Sequence, residues 1–152
     1  MSTPEQRLAE LGLELPEVAK PLASYVPAAV TGSLIYTAGQ LPLVGGALQA
    51  TGLVGDAVST EEAAALARVC ALNALAAVRA ETGSLANVRI VKVVGFVASA
   101  PGFYDQPEVV NGASDLLGEV FGDAGRHARS AVGVAVLPRN APVEVELIAE
   151  VG

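Results

Sequence analysis

Ala128-Arg129-Ser130-Ala131-Val132-Gly133-Val134-Ala135-Val136-Leu137, a turn Pro138-Arg139-Asn140-Ala141-Pro142, and then Val143-Glu144-Val145-Glu146-Leu147-Ile148-Ala149-Glu150-Val151 lie near the C-terminal end of the sequence. Both runs read as strands, with Pro and Asn between them as punctuation. In the second run Val143, Val145, Leu147 and Ala149 alternate with Glu144, Glu146 and Glu150, so one side is apolar and the other acidic. In the first, Arg129 shares a side with Ala131, Gly133 and Ala135. Those small residues leave space beside a guanidinium, whose planar fork suits bidentate binding of a carboxylate. The plain alternative is an edge arginine paired with a local acid. The glutamate row has two readings as well, a solvated face or a covered face whose carboxylates need a partner. Arg129 is one candidate for that partner.

Outward toward the N-terminus, Asp105–Phe121 reads as a helix stopped by Gly122, and Asn87–Ser99 as a β-branched buried strand ended by Pro101-Gly102. Ser59 to Thr82 is the longest helix. Ser59 and Glu62 have capping-box spacing, Glu61 and Glu62 suit the positive helix start, and Gly83 stops it. Residues 43–58 are glycine-rich and read as a loop with room for one short strand. Ser33–Ala38 and Tyr25–Val30 read as strands joined by Thr31-Gly32, and Gly39-Gln40-Leu41-Pro42 breaks the second. Thr3-Pro4-Glu5-Gln6 opens a short helix that Gly12 ends, and residues 14–24, with Pro16 and Pro21, form a connector. The order β-β-loop-α-β-α-β-β makes a two-layer α+β sandwich, a mixed sheet with two helices on one face and a short extra N-terminal helix. No further helix remains for the other face. A homo-oligomer whose sheets pack together is the expected cover.

The chain has 152 residues, enough for one domain that buries roughly 68–70% of its unfolded surface. Hydrophobic residues make up 52% and charged residues 16%, which excludes disorder and leaves apolar surface to spare for subunit contacts. A formal charge of −7 argues against nucleic acid as partner. No run of 18 apolar residues lacks a charge or turn signal, so no membrane partner is expected. Met1–Leu13 has no apolar signal core, and a cytoplasmic location is expected. Cys70 reads as a small core hydrophobe and His127 as a partly exposed loop residue; one Cys and one His cannot build a zinc site unaided. There is no G-x-S-x-G, P-loop or G-x-G-x-x-G.

Four ordered segments carry a resemblance. Ala128–Pro138 followed by Val143-Glu144-Val145-Glu146 resembles the signature of the Rid (YjgF) family of reactive-intermediate deaminases, also named after endoribonuclease L-PSP. Ser24-Tyr25-Val26-Pro27 resembles its N-terminal Pro-Tyr segment, and Ile35–Pro42 its Gly-Gln-Leu-Pro segment. Val110-Asn111 sits where the family carries a helical asparagine. The likeness spans about residues 22–150, with residues 1–21 as a preceding helix and connector. It implies a chorismate-mutase-like fold, a homotrimer with clefts between subunits, and hydrolysis of small 2-imino acids to 2-oxo acids and ammonia without metal or organic cofactor. Carried over by position, Arg129 would bind the substrate carboxylate and Glu144 would position or activate the attacking water. Tyr25, Gly39, Asn111 and Ala131 would line the cleft. Ala131 stands where many deaminases have Cys, and Gly133 replaces a family acid; with the longer N-terminus and 43–58 loop, this resembles a divergent subgroup. The alternatives are a non-catalytic trimer that senses a small carboxylate, an endoribonuclease, and, on fold alone, a chorismate mutase.

Overall fold

The helix starts are written in local side-chain chemistry. Thr3 and Gln6 form a reciprocal capping box at the start of α1 (Pro4–Glu10). Ser59 accepts from the Glu62 amide at the start of α2 (Thr60–Thr82), and Gly83 closes that helix in the left-handed region. The computed structural model describes residues 2–21 and 23–152; the expected family-like region starts on Leu22, outside the described residues. Strands β1 (Ala28–Thr31) and β2 (Leu34–Thr37) form a hairpin about Gly32-Ser33. A small hairpin, β3 (Leu43–Val44) and β4 (Ala47–Leu48), follows around Gly45-Gly46. After α2 come β5 (Val88–Ala98), α3 (Gln106–Phe121), β6 (Ala128–Val134) and β7 (Val143–Val151).

The main sheet has the order β1-β2-β7-β5-β6. β5 and β6 run parallel and the other pairs antiparallel, so the sheet is mixed. The fold is the two-layer α+β arrangement expected from the sequence. Some boundaries moved. Tyr25 and Val26 precede β1 and are exposed, and β6 ends at Val134 rather than Leu137, leaving Val136 exposed. The 43–58 loop holds the β3–β4 hairpin and is pinned by buried Val54 and Val58.

Val143, Val145, Leu147 and Ala149 of β7 and Val93 and Val97 of β5 are buried beneath α2 and α3. α2 is long and apolar enough to cross a membrane by length and composition. Here Ala67, Cys70, Ala71, Ala74, Leu75 and Val78 are core residues. α3 lies close because two glycines admit it. A Cβ on Gly95 would strike the Val110 methyls, and one on Gly112 would strike the Ala64 carbonyl of α2. Arg68 of α2 and Glu119 of α3 add an ion pair at 3.2 Å across their partly exposed rim. α1 docks through buried Leu8, and the Glu5 carboxylate accepts from the Leu85 amide at 2.6 Å just beyond α2.

This packing predicts opposite signs for two substitutions in one helix. Gly112→Ala should destabilise by about 1–3 kcal/mol, because the backbone of α2 must retreat. Gly118→Ala, where nothing lies within 4 Å of the new methyl, should stabilise by about 1 kcal/mol through helix propensity. Urea melts of both variants check the pair.

Candidate functional site

Period-two alternation decides which side chains can meet. Arg129 pairs with Val93 in the parallel β5–β6 register, so its side chain points to the helix layer. There α3 presents acceptors to it. Arg129 Nη1 donates to Asn111 Oδ1 at 2.7 Å and to Ser114 Oγ at 3.2 Å, and Nη2 donates to the Pro107 carbonyl at 3.3 Å. Asn111 and Ser114 stand three apart on one side of the helix, the spacing that lets both reach one group. No carboxylate lies within ion-pair distance of Arg129 among the described residues. Its charge is oriented by neutral groups and left uncompensated, the state in which a guanidinium can take an external carboxylate.

His127 stands behind this arrangement. Its Nδ1 is 2.6 Å from the Gly125 carbonyl, so that nitrogen carries the proton. In the neutral ring Nε2, 2.9 Å from Ser114 Oγ, is then the acceptor for the Ser114 hydroxyl. The Ser114 oxygen in turn accepts from Arg129. Three hydrogen bonds run in one direction, from Arg129 through Ser114 and His127 to a backbone carbonyl, and such chains polarise one another. The expected loop histidine is therefore a buttress for the arginine. Its sequence signal was its place two residues before Arg129, with Ser114 three after Asn111.

Glu144 lies elsewhere. It pairs with Phe96, and its neighbours Val143 and Val145 face the helices, so its side chain is on the helix-free face. Arg129 is thus not the partner of Glu144 within one chain, which corrects that sequence expectation. Glu144 is half-buried against Gly39, where a Cβ would collide with its carboxylate. Paired backbone bonds between Gln40 and Val145, at 2.8 and 3.0 Å, fasten this segment to β7. Burial first, and the charge of Glu146 second, raise the Glu144 pKa above the usual glutamate range. Glu150, on the same face, pairs with Arg89 at 3.2 Å. Gly39 also lines a small cleft with Tyr25, Pro27 and Gln40.

The expected space beside Arg129 is narrower than the small residues suggested. Ala131 lies on the arginine's face and packs on the core. The place beside Gly133 is taken by the Gln106 amide, which donates to Ser99 Oγ at 3.1 Å and to the Phe103 carbonyl at 2.9 Å. The structure therefore brings together Arg129 and Asn111 on one side, with Ala131 nearby, and Glu144, Gly39 and Tyr25 on the other.

The model of the family described as "YjgF/chorismate mutase-like, putative endoribonuclease" matches residues 5–151. The chain belongs to this family. It is 46% identical over 147 residues to Protein TCP17 of Trypanosoma cruzi, covering 94% of this chain and 91% of that protein. It superposes with a TM-score of 0.96 on a structure from Shewanella oneidensis named a "putative endoribonuclease", at 39% identity, covering 99% of this chain and 100% of that one. Escherichia coli TdcF, crystallised with bound serine, matches with a TM-score of 0.60 and 25% identity over 90% of this chain and 93% of that one.

The Glu144 environment gives a signed prediction. Its raised pKa means that folding stability falls as pH climbs from the ordinary glutamate range to its native value. Glu144→Gln should flatten that fall in pH-dependent melts. Glu146→Gln should lower the Glu144 pKa, read by carboxyl-carbon NMR, because it removes the repelling charge while leaving the burial.

Proposed function

We propose that this YjgF-family chain is a deaminase that hydrolyses small 2-imino acids to 2-oxo acids and ammonia, at a site completed between subunits of a homotrimer. The observation that carries the reading is Arg129, held by Asn111, Ser114 and the Pro107 carbonyl with no protein carboxylate on it. TdcF with bound serine is a relative that holds an amino acid, which also presents a carboxylate. Glu144, on the opposite face, supplies the other half from a neighbouring subunit once the exposed sheet face is covered. Tyr25 and Gly39 stand on that second half.

The chemistry is short. Arg129 anchors the carboxylate and so fixes the C=N carbon relative to a water at Glu144. Glu144, as carboxylate, takes a proton from that water as oxygen bonds to carbon. The C=N π pair moves to nitrogen, which takes up that proton from Glu144. The new hydroxyl then returns its proton to the Glu144 carboxylate as C=O forms and the C–N bond breaks, so that ammonia leaves with a 2-oxo acid behind. A protonated imine is already electrophilic, so a single acid–base group with a raised pKa suits the task, and the steps call on no metal or organic cofactor.

A second reading, a non-catalytic sensor of small carboxylates, draws on the Gln106 amide that fills the place beside Gly133 and on the methyl of Ala131. One assay separates the two. An amino-acid oxidase generates 2-imino acids while semicarbazide competes for them. Faster imine loss with the wild type, reduced at least 100-fold in Arg129→Ala, is the expected outcome; this scale follows the loss of a charge-assisted anchor and of substrate orientation. Thermal stabilisation by 2-oxo acids without turnover would select the sensor. Ser114→Ala should raise KM more than it lowers kcat, because the arginine keeps its charge and loses one support.

A further inference from the structure

A second cavity, of about 530 Å³, opens between the connector at residues 16–20 and the β3–β4 hairpin. It contains neither Arg129 nor Glu144, and its size lies within the range of small-molecule sites. Its walls carry charge with no partner. Lys20 and Arg139 line it, and neither has a carboxylate within ion-pair distance among the described residues. Glu17 is the one acid on the same walls.

Two further features mark the cavity as a built place. Arg139 has φ 58° and is followed by Asn140 at φ 60°, consecutive non-glycine residues in the left-handed region. Such backbone costs free energy, and here it sets Arg139 at the cavity. Asn73 of α2, 3% exposed, also lines it. Its amide nitrogen donates to the Leu41 and Leu43 carbonyls at 3.0 and 3.1 Å. Those two bonds fix the amide's orientation, and Oδ1, which takes no hydrogen bond from the described residues, is open to solvent rather than sealed in the core.

We infer that this cavity binds a small α-amino acid, its carboxylate at Lys20 and Arg139 and its ammonium at Asn73 Oδ1 and Glu17. Two cations and one acid suit a zwitterion better than a multiply charged phosphate, which Glu17 would repel. Val18 and Leu43 supply apolar wall for a side chain. The cavity shares Ala19, Lys20 and Leu43 with the small cleft at Tyr25 and Gly39, so an occupant would press on both.

The test is calorimetric titration of the full-length Arg129→Ala protein, whose proposed substrate anchor is gone, with L-leucine, acetate and inorganic phosphate. L-leucine should bind, acetate at least tenfold more weakly, and phosphate not detectably. Adding Lys20→Gln with Arg139→Gln should weaken L-leucine at least tenfold while the melting temperature holds, since both residues are exposed. No L-leucine binding, equal binding in the triple variant, or phosphate binding more tightly than L-leucine would each overturn the inference. These outcomes do not depend on imine hydrolysis and leave the proposed activity to its own assay.

Discussion

The close approach of α3 to β5 governs the rest of the molecule. Gly95 leaves the gap that Val110 fills, and Gly112 lets the same helix settle against the Ala64 carbonyl. Only at that depth do Asn111 and Ser114, one and four residues beyond Val110, come within hydrogen-bonding distance of Arg129 on the neighbouring strand. A packing detail in the core thus becomes an electrostatic detail at the surface. Side chains in cores fit at near-crystalline density, so a displacement of α3 cannot be absorbed silently.

The second constraint is the sheet's alternation. Because successive side chains leave opposite faces, Arg129 and Glu144 stand on opposite sides of one sheet. The helix side makes a cation held by neutral groups. The bare side makes a carboxylate whose pKa is raised by burial and by Glu146. Each half has what the other lacks, and the proposed inter-subunit cleft joins them. Tyr36 and Val132 remain exposed on the same bare face, which adds an apolar reason for it to be covered.

Much of this was legible in the residues. Thr3 with Gln6, Ser59 with Glu62, and the stops at Gly83 and Gly122 are local signals, and the helices obey them. The alternation of Val143–Val151 named the buried and acidic faces of β7 correctly. What stayed hidden depends on distant partners. Nothing local says that β7 inserts between β2 and β5, and without that register the pairing of Arg129 with Glu144 looked open. His127 is the partly exposed loop residue that the sequence indicates, but its hydrogen bond to Ser114, thirteen residues earlier and on another element, left no local signal. Glycines hid the β3–β4 hairpin, since a two-residue strand carries no period.

The central claim is that an arginine from one subunit and a glutamate from another make one site. Mixing two inactive variants tests it most directly. Arg129→Ala and Glu144→Gln proteins are unfolded together at equal amounts, refolded and assayed for imine hydrolysis. In a cyclic oligomer with random exchange, about a quarter of the interfaces unite an intact Arg129 with an intact Glu144. The account predicts recovery of about that fraction of wild-type activity. A mixed oligomer with no more activity than its parents would contradict it.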